Sequence, residues 1–317
     1  MPWIYILLFL VSCFALARSG AWVVKVLIRI SRFLRLREFI VASFLMAFAT
    51  SLPELFVGIS SAIAKKPELV VGTIIGSNII ALTVMIGLGA LLGKDLNIRG
   101  KVVRKASFYG AAYSVLPLVL MLDSVLSKGD GLILLASLFF YFFQLAREEE
   151  RFRKVFNNQS KGWKHFKIFV KDIFLFLFGA GILLLSAEGI VFSASKLAET
   201  FNLSLMVIGA ILVALGTSLP EISFETRAIM MGHKSMILGN IIGSVVINAS
   251  LVLGVVALIS PIYISNFSPY LIGAIFTLIT CFFFQVFAKS DRKITEKEGV
   301  VLLGIYVLFV ISELYFR

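Results

Sequence analysis

The sequence predicts an all-α polytopic membrane protein of about ten transmembrane helices, arranged as two inverted five-helix repeats. Composition is the first reason: of 317 residues, 59% are hydrophobic and 15% are charged, and the mean hydropathy is +0.99. A soluble globular domain is closer to half apolar and a quarter charged. The second reason is a pair of near-identical motifs, ATSLPE at residues 49–54 and GTSLPE at residues 216–221, each inside an apolar run.

Ten apolar runs predict the transmembrane helices. Most have about 18–25 residues, the length that crosses a bilayer as an α-helix. They lack the polar–apolar alternation of barrel strands, and backbone groups in lipid must be satisfied internally, so helices are expected. The runs are 3–29, 38–64, 69–92, 104–122, 131–146, 172–195, 203–231, 235–259, 268–288 and 299–316.

The net charge of +12 is divided unevenly between the two sides of the predicted membrane. When the loops alternate between the sides, one side receives 24 of the 30 Lys and Arg residues, including those of the 147–171 loop. Positively charged loops stay in the cytoplasm. We therefore expect a multi-pass protein of the cell membrane with both termini outside and the 147–171 loop inside. The expected partner is the lipid bilayer, not nucleic acid.

An internal duplication relates the two halves of the chain. A shift of 167 residues places residues 47–87 on residues 214–254 without a gap, and it aligns GTIIGS at 72–77 with GNIIGS at 239–244. Each half has five predicted spans, an odd number, so the second half crosses the membrane in the opposite sense, as in secondary transporters with inverted repeats. The predicted organisation is a first repeat at 1–146 with its ion-binding motif at 47–81, a cytoplasmic connecting loop at 147–171, and a second repeat at 172–317 with its motif at 214–248.

The duplicated motifs place costly residues deep in the membrane. Pro53 and Pro220 lack a backbone N–H, so each frees a carbonyl one turn earlier. Glu54 and Glu221 place carboxylates where a charge costs about 3 kcal/mol or more. The hydroxyls of the same motifs lie within one turn, and the glycines of the paired helices allow close helix approach. Two carboxylates with hydroxyl and carbonyl oxygens form an all-oxygen site, which suits Ca²⁺ or Na⁺ rather than zinc or copper.

Two stretches resemble the α-repeats of the sodium/calcium exchanger family, within the cation/calcium antiporter superfamily: ATSLPELFVGISSAIAKKPELVVGTIIGSNII and ALGTSLPEISFETRAIMMGHKSMILGNIIGSVVIN. The likeness covers nearly the whole chain and includes AEG, residues 187–189, in the sixth span. It implies a secondary active antiporter that exchanges Ca²⁺ for Na⁺ by alternating access, without a cofactor. The ion ligands that it implies are Glu54, Glu221, Thr50, Ser51, Thr217, Ser218, Ser77, Ser244, Asn248 and the carbonyls of Ala47 and Ala214.

The chain departs from the family pattern in its first repeat. The family usually carries Asn or Asp four residues after each serine of the GS motif. Asn248 fits this pattern, but the first-repeat position is Ala81. Asn78 lies next to Ser77, but on a helix it points about 100° away from that serine. We therefore expect one polar ligand fewer than in a complete site, and weaker affinity for at least one ion.

Glu225 is a second departure, because it lies one turn beyond Glu221 where the first repeat has Gly58. Two interpretations stay open. The carboxylate pairs with a nearby base such as Arg227 or Lys234, or it is an acidic residue at the cytoplasmic passage to the ion site.

Other functions fit parts of the pattern. Because glutamates carry protons, an H⁺-coupled cation exchanger is an alternative to Na⁺ coupling. A passive cation channel is another, although a closed site between inverted repeats favours alternating access. A membrane-embedded enzyme is a third, but His165 and His233 both fall in predicted loops, away from the glutamates with which they would share acid–base work.

Cys13 and Cys281 have no metal-like spacing and are expected to be buried packing residues. The oligomeric state is left open.

Overall fold

The computed structural model describes residues 2–33, 46–93, 95–97, 101–149, 163–230, 234–289 and 293–316, and these are almost entirely helical. The α-helices are α1 Pro2–Phe33, α2 Met46–Thr50, α3 Leu52–Ile63, α4 Glu68–Ile80, α5 Ile86–Gly93, α6 Lys101–Leu120, α7 Lys128–Glu149, α8 Trp163–Phe201, α9 Leu205–Ile208, α10 Ala214–Met230, α11 Lys234–Ile247, α12 Leu253–Ile259, α13 Phe267–Lys289 and α14 Glu296–Tyr315. Three π-helical segments are π1 Ala81–Met85, π2 Gly209–Val213 and π3 Asn248–Val252. Four short strands are β1 Leu96–Asn97, β2 Val125–Leu126, β3 Ile262–Tyr263 and β4 Lys293–Ile294.

The helices coincide with the predicted spans. Within the described ranges, seven segments are long and apolar enough to cross a membrane: Pro2–Val26, Glu68–Gly93, Ile168–Phe201, Leu205–Ser223, Leu238–Ile259, Phe267–Ala288 and Glu296–Tyr315. The shorter apolar helices Leu52–Ile63 and Phe108–Leu120, together with α7, occupy the other three predicted runs. The prediction of an all-α polytopic membrane protein is therefore confirmed. Helix also extends into both ends of the range predicted as the connecting loop, since α7 ends at Glu149 and α8 begins at Trp163.

Two short antiparallel ribbons reflect the inversion of the repeats. β1 pairs with β4, and β2 pairs with β3. Under the 167-residue shift, β1 corresponds to β3 and β2 corresponds to β4, to within one residue. Exchanging the repeats therefore converts one ribbon into the other. Because β1 and β2 flank the two ends of α6, the ribbons lie at opposite ends of the helix bundle, as an inverted repeat requires.

The two longest helices, α1 and α8, pack along each other. Trp22 meets Phe178 edge to face, with ring centroids 5.8 Å apart. Arg29, beyond the apolar part of α1, donates to Asp172 Oδ1 from Nη2 at 2.8 Å and from Nε at 3.0 Å. These hydrogen bonds hold the pKa of the Arg29 guanidinium above its usual range. The arginine also supplies a partner for a buried carboxylate that would be costly if left unpaired.

Glycines bring α4 into direct contact with the α9–π2 segment of the other repeat. A Cβ atom at Gly76 would overlap the Ala210 carbonyl, and one at Gly209 would overlap the Leu69 carbonyl. The two backbones therefore touch, as small residues permit at membrane helix interfaces. This crossing joins the first repeat to the second through the helix that carries Ser77.

Candidate cation site

The predicted ligand residues lie between the two repeats. Ten of the eleven are buried, and Thr50 is half-buried. Glu54 on α3 is 1% exposed and Glu221 on α10 is 2% exposed. Helix α10 packs against α4, and α11 packs against α2, so each motif segment meets the glycine–serine helix of the other repeat. The site therefore requires both repeats.

The two prolines act differently on their helices. In the first repeat, α2 ends at Thr50, Ser51 has φ −83° and ψ 0°, and α3 begins at Leu52 with Pro53 in its first turn. In the second repeat, α10 continues through Pro220. Proline is tolerated in the first turn of a helix but removes a hydrogen bond from a helix interior. The first motif is therefore a broken helix and the second is a continuous one.

A chain of polar contacts crosses the interface at Glu221. The Ser244 hydroxyl donates to Glu221 Oε1 over 3.1 Å. The same Ser244 oxygen lies 3.0 Å from the Thr50 hydroxyl of the first repeat, and Thr50 lies 3.1 Å from the Ala47 carbonyl. Four of the predicted ligand residues are thus connected, and they come from both repeats.

The environment of Glu54 is less connected. Thr217 faces this carboxylate from the second repeat, and its hydroxyl donates to the Ala214 carbonyl over 3.3 Å. Ser218 donates to Ser77 at 3.5 Å. Ser77 and its counterpart Ser244 therefore each contact a hydroxyl of the other repeat, but among the described contacts only Ser244 also binds a glutamate. Both carboxylate oxygens of Glu54 lack a hydrogen-bond partner among the described residues. The two halves of the site are related but not identical.

Several buried oxygens at this interface have no partner among the described residues. They are Glu54 Oε1 and Oε2, Ser51 Oγ and Asn248 Oδ1. Buried polar atoms nearly always have hydrogen-bond partners, and an unpaired carboxylate in a membrane is costly. The described ion pairs join other residues and include neither glutamate. Carboxylate, hydroxyl and amide oxygens that are left without hydrogen-bond partners are the groups expected at a cation site.

A π-helical segment begins four residues after Ser77, and another begins four residues after Ser244. π1 begins at Ala81 and π3 begins at Asn248, and the 167-residue shift aligns these two segments throughout. π-Helical turns are rare and are often found at functional sites. These turns were not predicted, because the sequences of π1 and π3 have no pattern that separates a π-turn from an α-turn. The structure therefore places the Asn248 amide, and the missing amide at Ala81, on equivalent widened turns.

Asn78 does not take the place of the missing ligand. Asn78 lines a small cavity of about 10 Å³ together with Ser114 and Pro117 of α6 and Thr277 of α13. The cavity is just large enough for one water molecule. The expectation that Asn78 points away from the Ser77 side of α4 is confirmed.

Glu225 is buried at 2% exposure and accepts a hydrogen bond from Asn240 Nδ2 over 3.4 Å. Sequence analysis missed Asn240, although it lies four residues before Ser244, on the same face of α11. The predicted alternative, an ion pair with Arg227 or Lys234, involves side chains outside the described set. Glu188 is exposed on α8.

The two cysteines are free and buried. This confirms the prediction that Cys13 and Cys281 are packing residues.

Comparison with known proteins places these features in a family. The family model described as "Sodium/calcium exchanger protein" matches residues 4–146 and 171–315. Sodium/calcium exchanger MaX1 of Methanosarcina acetivorans is 26% identical over 345 residues, with 98% of each chain covered. Inner membrane protein YrbG of Escherichia coli is 29% identical, with 86% of this chain and 85% of that protein covered. A structure of the sodium-calcium exchanger NCX_Mj is 26% identical, with a TM-score of 0.67 and coverage of 98% of this chain and 99% of that one.

These matches confirm the resemblance and favour an exchanger over a membrane-embedded enzyme. The two matched segments are separated at the predicted connecting loop, and together they span both repeats. The chain belongs to the sodium/calcium exchanger family.

Proposed function

We propose that this chain is a secondary active antiporter that exchanges Ca²⁺ for Na⁺ by alternating access, with its ions bound between the repeats. One observation carries the proposal: Glu54 and Glu221 are buried carboxylates from opposite repeats, and neither forms an ion pair with a described Lys or Arg. Two carboxylates offset the charge of one Ca²⁺, and the surrounding oxygens supply the hard ligands that Ca²⁺ and Na⁺ prefer. The names of the family and of its relatives support this choice of ions.

The proposed ligand set includes carboxylate, hydroxyl, amide and carbonyl oxygens. The Ala47 and Ala214 carbonyls already accept from Thr50 and Thr217, but a carbonyl oxygen has two lone pairs and retains one for an ion. The complete set is Glu54, Glu221, Thr50, Ser51, Thr217, Ser218, Ser77, Ser244, Asn248, Ala47 and Ala214. No cofactor is needed for this chemistry, since the ions are cargo.

Alternating access follows from where the contacts lie. Thr50 and Ser244 belong to different repeats, as do Ser77 and Ser218. A movement of one repeat against the other therefore separates oxygens that bind the same ion. Binding is strong only when the repeats are closed around the ions, and opening to either side releases them. This is the behaviour that inverted repeats support in secondary transporters.

The proposal places the protein in the cell membrane with both termini outside and the 147–171 loop in the cytoplasm. The excess of Lys and Arg on one set of loops supports this orientation. Proton coupling is the competing mechanism, because buried glutamates are able to carry protons. No described contact favours it over Na⁺ coupling.

Ca²⁺ uptake into proteoliposomes tests the function. The full chain is reconstituted, and the vesicles are loaded in turn with Na⁺, with K⁺ or with a pH gradient. We expect Ca²⁺ uptake to require internal Na⁺ and to fail with Glu54→Gln. Uptake driven equally by a pH gradient without Na⁺ would establish proton coupling instead, and flux without any counter-ion would establish a channel.

A further inference from the structure

Glu225 is a third buried carboxylate that the central site does not use. Its Oε1 atom accepts from Asn240 Nδ2 over 3.4 Å. The other two oxygens of this pair, Glu225 Oε2 and Asn240 Oδ1, have no partner among the described residues, although the residues are only 2% and 4% exposed. Buried acceptors without donors are rare in folded proteins. A bound cation would account for two of them on residues that are in contact with each other.

The pair is continuous with the central site. Glu221 and Glu225 are four residues apart on α10, and Asn240 and Ser244 are four residues apart on α11, so each pair shares one face of its helix. Ser244 binds Glu221, and Asn240 binds Glu225. The two hydrogen bonds therefore join α10 to α11 at positions one helical turn apart.

In the first repeat, the described residues form no hydrogen bond equivalent to that between Glu225 and Asn240. The counterparts of Glu225 and Asn240 are Gly58 and Thr73, and the Thr73 hydroxyl donates to a carbonyl of its own helix. A Cβ atom at Gly58 would lie 3.0 Å from both Val252 and Val256. A side chain at this position would require both valines to shift.

The extra carboxylate lies where the structure lacks an amide. π3, which carries Asn248, packs against α3, whereas π1, which begins at Ala81, packs against α10 and α11. Ala81 also shares one hydrophobic cluster with Ile229 and Leu238, the first of which is one turn beyond Glu225. The turn that carries Asn248 therefore packs against α3, which has Gly58 at the position that corresponds to Glu225. The turn that begins at Ala81 packs against α10, which carries Glu225 itself. The helix that packs against the Ala81 turn therefore carries a carboxylate that α3 lacks.

Charge determines which cation fits. Glu54 and Glu221 offset a divalent ion, and Glu225 adds one further negative charge without a described basic partner. One carboxylate offsets only one of the two charges of Ca²⁺, and an uncompensated charge in a buried site is costly. A single monovalent cation matches the added charge, with water completing its coordination.

We propose that Glu225 and Asn240 form a subsite for a monovalent cation, Na⁺, at the end of the ion site where Ala81 provides no ligand. The inference rests on the proposed exchange of Ca²⁺ for Na⁺. It replaces the expectation of a site with one polar ligand too few, because the missing ligand is supplied from the opposite helix.

The test compares Na⁺ and Ca²⁺ dependence in proteoliposomes that contain the full chain. For Glu225→Gln, which keeps the shape but removes the charge, we expect the Na⁺ concentration for half-maximal exchange to rise about fivefold or more, with a less steep dependence. Exchange of Ca²⁺ for Ca²⁺ without Na⁺ should keep its Ca²⁺ dependence. Glu296→Gln, which alters an exposed carboxylate at the start of α14 and outside the repeated motifs, is the matched control and should behave as wild type. Ala81→Asp in the Glu225→Gln background should restore much of the Na⁺ affinity, because it returns a charge from the facing turn.

Three results would overturn the subsite. They are an unchanged Na⁺ dependence in Glu225→Gln, an equal weakening of Ca²⁺ and Na⁺, or an effect that appears only as an altered pH profile, which would assign a proton to Glu225. If Glu225→Gln does not give a monodisperse protein, Asn240→Ala provides the same comparison, and the same three results in that variant reject the proposal. Failure of the proposed function is distinguishable, since wild-type Ca²⁺ uptake would then not depend on Na⁺ at all.

Discussion

The hydroxyl oxygens of Thr50 and Ser244 lie 3.0 Å apart, although 194 residues separate them in the chain. Thr50 belongs to the first repeat, and Ser244 belongs to the second and donates to Glu221. Their contact connects the movement of one repeat to the ligand geometry of the other. It is one of two described contacts between hydroxyl groups of the two repeats, and Ser218 with Ser77 is the other.

Neutralising either central carboxylate should abolish exchange. Glu54→Gln and Glu221→Gln each remove one charge from a site that must compensate the lost hydration of a divalent ion. Radiolabelled Ca²⁺ uptake into Na⁺-loaded proteoliposomes measures the effect, and size-exclusion chromatography checks that the variants fold. Near-normal uptake by either variant would exclude that residue as an essential ligand.

Ser77 and Ser244 should contribute more to ion affinity than Asn78 does. Ser244→Ala removes the hydrogen bond to Glu221 and the contact with Thr50, so we expect about tenfold weaker ion affinity. Ser77→Ala should also weaken binding, whereas Asn78→Ala should have little effect because its side chain faces the cavity beside α6 and α13. Half-maximal Na⁺ and Ca²⁺ concentrations provide the comparison. A larger effect for Asn78→Ala than for both serine variants would contradict this arrangement.

The glycine crossing between the repeats should tolerate no side chain. A Cβ atom at Gly76 would overlap the Ala210 carbonyl, so Gly76→Ala should destabilise the protein by about 1–3 kcal/mol through overpacking. At Gly304 on α14 no atom lies within 4 Å of the added carbon. Gly304→Ala is the control and should leave stability unchanged or raise it by about 1 kcal/mol or less, through helix propensity. Thermal unfolding in detergent separates the two outcomes, and equal stability of both variants would refute the close crossing.

Membrane orientation is open to cysteine labelling. Lys128 and Asn266 are exposed beside the β2–β3 ribbon, and Lys297 is exposed beside the β1–β4 ribbon at the opposite end. With the native cysteines replaced, we expect Lys128→Cys and Asn266→Cys to react with an impermeant thiol reagent from outside, and Lys297→Cys only from inside. Ser160→Cys, in the proposed cytoplasmic loop outside the described residues, should also react only from inside. Labelling of Ser160→Cys from outside would reverse the orientation.

The membrane fold, the duplication and the residues that repeat in it could be predicted from the amino-acid sequence. These properties are readable because the bilayer imposes a fixed span length, because an odd number of spans forces inversion, and because Pro53 and Glu54 recur as Pro220 and Glu221 in apolar surroundings where each is costly. The same reasoning placed Asn78 on a different face of α4 from Ser77, since helix geometry alone sets that angle.

Which polar groups meet could not be predicted from the sequence. The contact of Ser244 with Thr50, and the pairing of Glu225 with Asn240, depend on how separate helices cross. The π-turn that begins at Ala81 could not be predicted either, because the sequence of residues 81–85 fits both α- and π-helical geometry. Such contacts are set by the packing of helices distant in the chain, where a shift of about one turn changes every partner. The spacing of residues along one helix contains no information about that shift.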